Sequence, residues 1–146
     1  MNAPRLSSET VHCSAVAIAG RAVLIGGRSG TGKSDLALRL IDRGAALVSD
    51  DYTHVRRVEG RALASAPATI RGKIEMRGVG IVELDPLDDV PVALFVDLDR
   101  IPDRLPDEER SRVVAGIDIP LIAVSAHEDS APLKVEAALL LFGLKG

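Results

Sequence analysis

Eight consecutive residues carry the strongest chemical signal in the chain. Gly27, Arg28, Ser29, Gly30, Thr31, Gly32, Lys33 and Ser34 satisfy the pattern G-x-x-x-x-G-K-[ST], which average composition produces by chance in fewer than about one chain of this length in a hundred. Glycines allow close approach of the backbone, and a helix N-terminus with its free N–H groups favours an anion such as phosphate. Lys33 would carry a positive charge to the β- and γ-phosphates of a nucleoside triphosphate, and the Ser34 hydroxyl would coordinate Mg²⁺, because a phosphoryl transition state spreads charge over oxygens that need neutralising. A plain glycine turn capped by Ser34 uses the same residues without chemistry. The apolar strand before the loop and the amphipathic helix after it favour the phosphate reading.

An attacking hydroxyl needs alignment and a carboxylate to take its proton. Asp50 and Asp51 end the apolar run Ala45–Ser49 and are the leading candidates, since consecutive side chains of an extended segment face opposite ways and one of the pair can point at the loop. Asp97, closing Ala93–Val96, is the alternative acid, able to hold Mg²⁺ from a neighbouring strand.

The elements that must position these groups follow from hydrophobic spacing. Val11–Ile18 and Ala22–Ile25, joined through Ala19-Gly20-Arg21, read as two strands with a tight turn. From Lys33, the apolar positions Leu36, Ala37, Leu40 and Ile41 line one helical face, with Gly44 as the stop. Ala45–Ser49 reads as a buried parallel strand, and Tyr52–Val58 with Arg61–Ala66 as a hairpin about Glu59-Gly60. Ile70–Leu84, interrupted by three glycines, reads as irregular. Val90–Val96 is the strongest later strand, and the charged stretch Asp97–Arg112 reads as an exposed loop running into a short helix. Pro120–Val124 follows as a last strand, and Lys134–Leu144 as a closing helix with Val135, Ala138, Leu139 and Phe142 on one face.

Bulk properties narrow the class. With 146 residues, 47% of them hydrophobic, the chain holds one domain over 1–146, with residues 1–10 as a flexible N-terminus. Basic and acidic residues number 18 and 21 without a basic stripe, and aromatics are only 2% of the chain, so neither the charge footprint nor the stacking surfaces of nucleic-acid binding are present. The lone Cys13 permits no internal disulfide, and no apolar run reaches the roughly 18 residues of a membrane helix. The expectation is a soluble cytoplasmic protein without membrane insertion.

Four segments in order make the chain resemble the HPr kinase/phosphorylase family: Val11-His12, Gly27–Asp35, Leu47–Asp51, and Glu75-Met76-Arg77-Gly78-Val79-Gly80-Ile81. The last is similar to the family signature E-[IV]-R-G-x-G-I, which generic phosphate-loop proteins lack. The resemblance covers the family's catalytic domain, in the short form of alphaproteobacteria. It implies an α/β fold of the HPr kinase/phosphoenolpyruvate carboxykinase type, a mixed sheet with flanking helices and the loop at its edge, and a homo-oligomer, in the family a hexamer. It also implies an ATP- and Mg²⁺-dependent protein-serine kinase whose partner is a small HPr-like phosphocarrier protein, with the reverse phosphorolysis as a second activity. Within it Asp51 is the proton acceptor, His12 lies near the transferring phosphate, Glu75 is a second Mg²⁺ contact and Arg104, in Asp103-Arg104-Leu105, is catalytic. Arg77 offers a planar fork for phosphate beside Lys33 and Ser34. The chain departs from the family at Glu83–Asp89 and Ser125–Ser130, segments that serve mainly the reverse reaction, which weakens that expectation. The rival readings are a small-molecule P-loop kinase and a non-catalytic ATP-binding regulatory module.

Overall fold

The computed structural model describes residues 7–105 and 110–146. Three two-residue turns, Ala19-Gly20, Glu59-Gly60 and Ala115-Gly116, have positive φ at both positions, the type I′ geometry whose twist matches that of the strands it joins. They build three hairpins: β2 (Cys13–Ile18) with β3 (Arg21–Gly26), β5 (Thr53–Val58) with β6 (Arg61–Ser65), and β10 (Arg110–Val114) with β11 (Ile117–Ala123).

These hairpins join β1 (Ser8–Val11), β4 (Ala46–Ser49) and β9 (Val90–Asp97) in a mixed sheet ordered β1-β5-β6-β9-β3-β2-β4. One edge of β9 pairs along its length with β3, in parallel. The other edge is divided between β6, antiparallel at Val90 and Pro91, and β11, parallel at Phe95 to Asp97. Between Val92 and Leu94 the β3–β9 register shifts by one residue. The extra residue, Ala93, keeps its carbonyl paired with Leu144 N–H at 3.0 Å, so the bulge leaves no orphan acceptor.

Both faces of the sheet are covered, which explains strands buried on both sides. One face carries α1 (Lys33–Asp42) and α2 (Ala131–Phe142), whose Leu36, Ala37, Leu40, Val135, Ala138 and Leu139 pack on Val16, Val23, Ile25 and Val96. On the other, side chains of the sheet's own strands pack together around Leu24, Val48, Val55, Phe95, Val114 and Ile119. Burial of each large aliphatic contributes on the order of 1.5–3 kcal/mol, which lets a core with Phe95 as its one phenylalanine, in a chain without tryptophan, hold.

Several expectations require correction. β4 is antiparallel to its partner β2. It runs in the direction of β3, but the crossover through α1 skips one strand and β2 fills the gap, an arrangement that hydrophobic spacing alone does not encode. The strand feeding the glycine loop is interior, between β9 and β2, so the loop leaves the middle of the sheet and not its edge. Ile70–Leu84 holds a small separate sheet of β7 (Lys73–Met76) and β8 (Gly80–Glu83), in which only Ile74 is fully buried, so no alternating pattern reveals it. Arg110–Val114 is a strand where a short helix was expected, with 106–109 outside the described residues. Ser8–Thr10 of the expected flexible N-terminus is strand, paired with His54–Arg56, and 1–6 lie outside the described residues. Phe142 is half exposed instead of facing the core.

Candidate functional site

β3, β4, β9 and β11 all run in one direction, so their carboxyl ends form a single rim, the usual place for a site in α/β sheets. Gly26 is in register with Asp97. From that rim come the glycine loop after β3, Asp50 and Asp51 after β4, and the Asp97–Asp99 turn after β9.

The loop is shaped by its own polar groups. Thr31 turns back on Arg28, its N–H and hydroxyl both donating to the Arg28 carbonyl at 3.1 and 2.7 Å. Gly32 caps α1 with φ 98°, a left-handed conformation that β-carbon-bearing residues resist, and a Cβ there would meet Ala126 at 3.1 Å. The altered segment after β11 therefore packs directly on the loop. Arg39 of α1 fixes that segment by donating to the Ala126 and Glu128 carbonyls.

Lys33 opens α1 and is 6% exposed, and its ammonium lies over the loop, donating to the carbonyls of Gly27 at 2.8 Å and Arg28 at 3.3 Å. Asp99 braces the loop from outside, accepting from the Arg28 N–H at 3.0 Å and from Arg28 Nε at 3.2 Å. The Arg28 N–H, with that side chain and the Lys33 charge adding to it, holds the Asp99 carboxyl below the usual carboxylate range.

Asp50 is the hub. Its Oδ1 accepts from Ser34 Oγ at 2.5 Å and from Ser14 Oγ at 3.0 Å, and its Oδ2 from the Glu75 N–H at 3.1 Å. One buried carboxylate thus ties the first turn of α1, the interior of β2 and the separate β7–β8 hairpin. Charge-assisted bonds of this kind are about twice as strong as neutral ones. Ser14 also accepts from the Asp51 N–H at 3.1 Å.

Asp51 has the opposite character: it is exposed and strained. Its φ is 69°, and Tyr52 N–H donates across it to the Asp50 carbonyl at 2.8 Å. A positive φ under an i+2→i bond marks the rare form of γ-turn, and such strain of order 1–3 kcal/mol persists only where the surroundings impose it. The consequence is directional. The carboxylate is thrown clear of β4 toward His12, whose Nε2 lies 2.9 Å from Asp51 Oδ1. The carboxylate partner assigns the imidazole proton to Nε2.

The geometry thus brings together Gly27–Ser34, His12, Asp50, Asp51 and, through its backbone, Glu75. Ser34 and Asp50 place hard oxygens of the kind Mg²⁺ prefers side by side, while Glu75 reaches them through its N–H alone. Arg77, at the β7–β8 tip, and Arg104 are exposed and have no hydrogen bond or ion pair to another described residue, so neither is joined to the cluster; the neighbouring Asp103 pairs with Arg110 at 3.4 Å. Asp97 accepts from the Asp99 N–H at 2.9 Å and has no bond to Ser34. Sequence reasoning missed Ser14, Tyr52 and Asp99, and the linking role of Asp50. A serine in an otherwise apolar strand is the signal by which Ser14 could have been found.

Fold and site define a P-loop kinase domain on a mixed sheet. Residues 5–145 match the model of the HPr Serine kinase C-terminal domain, and the chain belongs to that family. It is 42% identical over 84 residues to an HPr kinase/phosphorylase of Clostridium tetani, covering 57% of this chain and 28% of that protein. To the HPr kinase/phosphorylase of Geobacillus thermodenitrificans it is 34% identical over 149 residues, covering 92% and 48%. The chain spans less than half the length of these curated relatives. The solved HPr(Ser) kinase/phosphatase of Coxiella burnetii superposes with a TM-score of 0.78 at 28% identity, over 91% of this chain and 89% of that one. Among the described residues no helix is long and apolar enough to cross a membrane.

Proposed function

We propose that this protein transfers the γ-phosphoryl group of ATP, with Mg²⁺, to a serine of a small HPr-like phosphocarrier protein. The observation that carries the reading is the presentation of Asp51: a strained, exposed carboxylate beside the phosphate loop, with Oδ1 engaged by His12 and Oδ2 open to an incoming hydroxyl. In this reading Gly27–Ser34 cradle the phosphates and Lys33 leaves the Gly27 carbonyl for the β- and γ-oxygens. Ser34 and Glu75 would hold Mg²⁺, which would neutralise charge on the phosphate oxygens, with Asp50 orienting Ser34, and Arg77 and Arg104 would supply further positive charge to them. Asp51 takes the seryl proton as the oxygen attacks phosphorus. The names of the relatives support the substrate and the reaction class. The same reading has the protein working in the cytoplasm as a homo-oligomer.

Incubation of the pure protein with labelled ATP and the HPr-like carrier tests the proposal. Serine phosphorylation is expected, and Asp51→Asn, a residue that tolerates the left-handed backbone, abolishes transfer while ATP still binds. No transfer with both proteins folded would overturn it. Phosphorolysis of the phosphorylated carrier yields pyrophosphate, and its absence restricts the protein to the kinase direction.

A further inference from the structure

Asp51 and His12 are both partly exposed, their side chains 54% and 39% accessible. A bond between two such side chains does little to hold either in place, because water competes and each loses rotamer freedom. His12 lies at the bend between β1 and β2, with no hydrogen-bond partner for its ring but Asp51 among the described residues. A third group must keep the imidazole in line.

That group is Tyr52, the only tyrosine in the chain. Its ring stacks on the His12 ring with centroids 4.9 Å apart and planes 22° from parallel. Its own backbone is pinned at both ends: the N–H donates to the Asp50 carbonyl at 2.8 Å, closing the turn at Asp51, and the carbonyl accepts from Ser49 Oγ. The backbone from which the ring projects is therefore fixed to the strained turn, and the ring, itself 47% exposed, rests on His12. Through the stack it limits the tilt of the imidazole, and an imidazole so held keeps its Nε2 directed at Asp51 Oδ1, 2.9 Å away. With Oδ1 committed to His12, the direction of the free Oδ2 follows.

Resting on the role of Asp51 given above, we infer that Tyr52 is a positioning residue: its ring holds His12 so that Asp51 meets the acceptor hydroxyl with Oδ2 aligned. The phenol hydroxyl is not needed for this, only the ring. Tyr52 makes no described contact with the phosphate loop, so ATP affinity is not its concern.

Tyr52→Phe keeps the ring, while Tyr52→Ala and Tyr52→Leu remove it, the leucine preserving apolar cover should the alanine variant fold poorly. Aromatic stacking is strong enough to change the aligned population about 2- to 10-fold, so kcat falls by about that factor in the Ala and Leu variants. KM for ATP is unchanged, and Phe retains wild-type kcat. In a His12→Ala background the same substitutions have no further effect, as expected of a residue acting through His12. Independently of any turnover, the imidazole ¹⁵N resonances of His12 report one Nε2–H tautomer in wild type and Phe, and averaged tautomers in Ala and Leu. Unchanged His12 resonances in the Ala and Leu variants would overturn the inference, as would an equal loss of kcat with and without His12. A wild-type protein that phosphorylates no carrier defeats the kinase reading, and the resonance measurement still decides whether Tyr52 holds His12.

Discussion

Replacing Asp50 with asparagine keeps the shape of the hub and removes its ability to accept on both sides. The carboxylate takes two hydroxyl donors on Oδ1 and a backbone N–H on Oδ2. An asparagine must turn its NH₂ toward one of these sides. Facing Glu75, it sets donor against donor. Facing Ser34 and Ser14, it leaves both hydroxyl protons without their acceptor, while Ser14 remains committed to the Asp51 N–H. Each charge-assisted bond contributes about 1.5–3 kcal/mol, and the hydroxyls recover part of the loss by reorienting, so Asp50→Asn should destabilise the fold by about 3 kcal/mol. For a chain of this size that lowers Tm by about 6–12 °C. Urea or thermal unfolding followed by circular dichroism measures it. A double-mutant cycle with Ser34→Ala isolates the 2.5 Å bond, where a coupling of at least about 1 kcal/mol is expected. A loss under about 1 kcal/mol, or no coupling to Ser34, would show that Asp50 is not the hub that the geometry makes it.

Two further outcomes follow from the environments of single groups. Burial pushes the Cys13 thiol up to about 12, so it is almost wholly protonated at pH 8; iodoacetamide should leave the native protein unlabelled and add one carbamidomethyl group after denaturation, as mass spectrometry will show. The Asp99 carboxyl is depressed in the folded state by the Arg28 N–H, so the brace is complete above the ordinary aspartate range and is lost only as pH falls through the lowered folded value. Hydrogen exchange at the Arg28 amide should stay slow down to that range and become fast at every pH in Asp99→Ala.

How much of this was legible before the fold was seen depended on the kind of signal each residue gives. Leu36, Ala37 and Leu40 mark a helix face because one side of α1 meets the sheet and the other meets water, so the spacing is forced. The loop was legible because its chemistry dictates residue types at fixed positions. The β7–β8 hairpin was not, since it buries only Ile74 fully and is held through Asp50, a distant partner. β10 was misread because Arg110, Ser111, Arg112 and Val113 are all exposed, and a charged solvent-facing strand at a sheet edge has no period of its own. Tyr52 and Ser14 act through partners 40 and 36 residues away, and single-sequence patterns record only neighbours along the chain.

The left-handed backbone at Asp51 bears on how such a site can change over generations. Glycine at that position would relieve the strain and fold more readily than the native residue, so drift toward stability leads away from the acid. In the proposed reaction only the demand for proton transfer opposes that drift. A descendant freed from the demand should lose Asp51 early, while Asp50, on which the assembly of α1, β2 and the hairpin depends, should outlast the activity. The two neighbouring aspartates then serve as separate clocks, one timing the loss of chemistry and the other the loss of the fold.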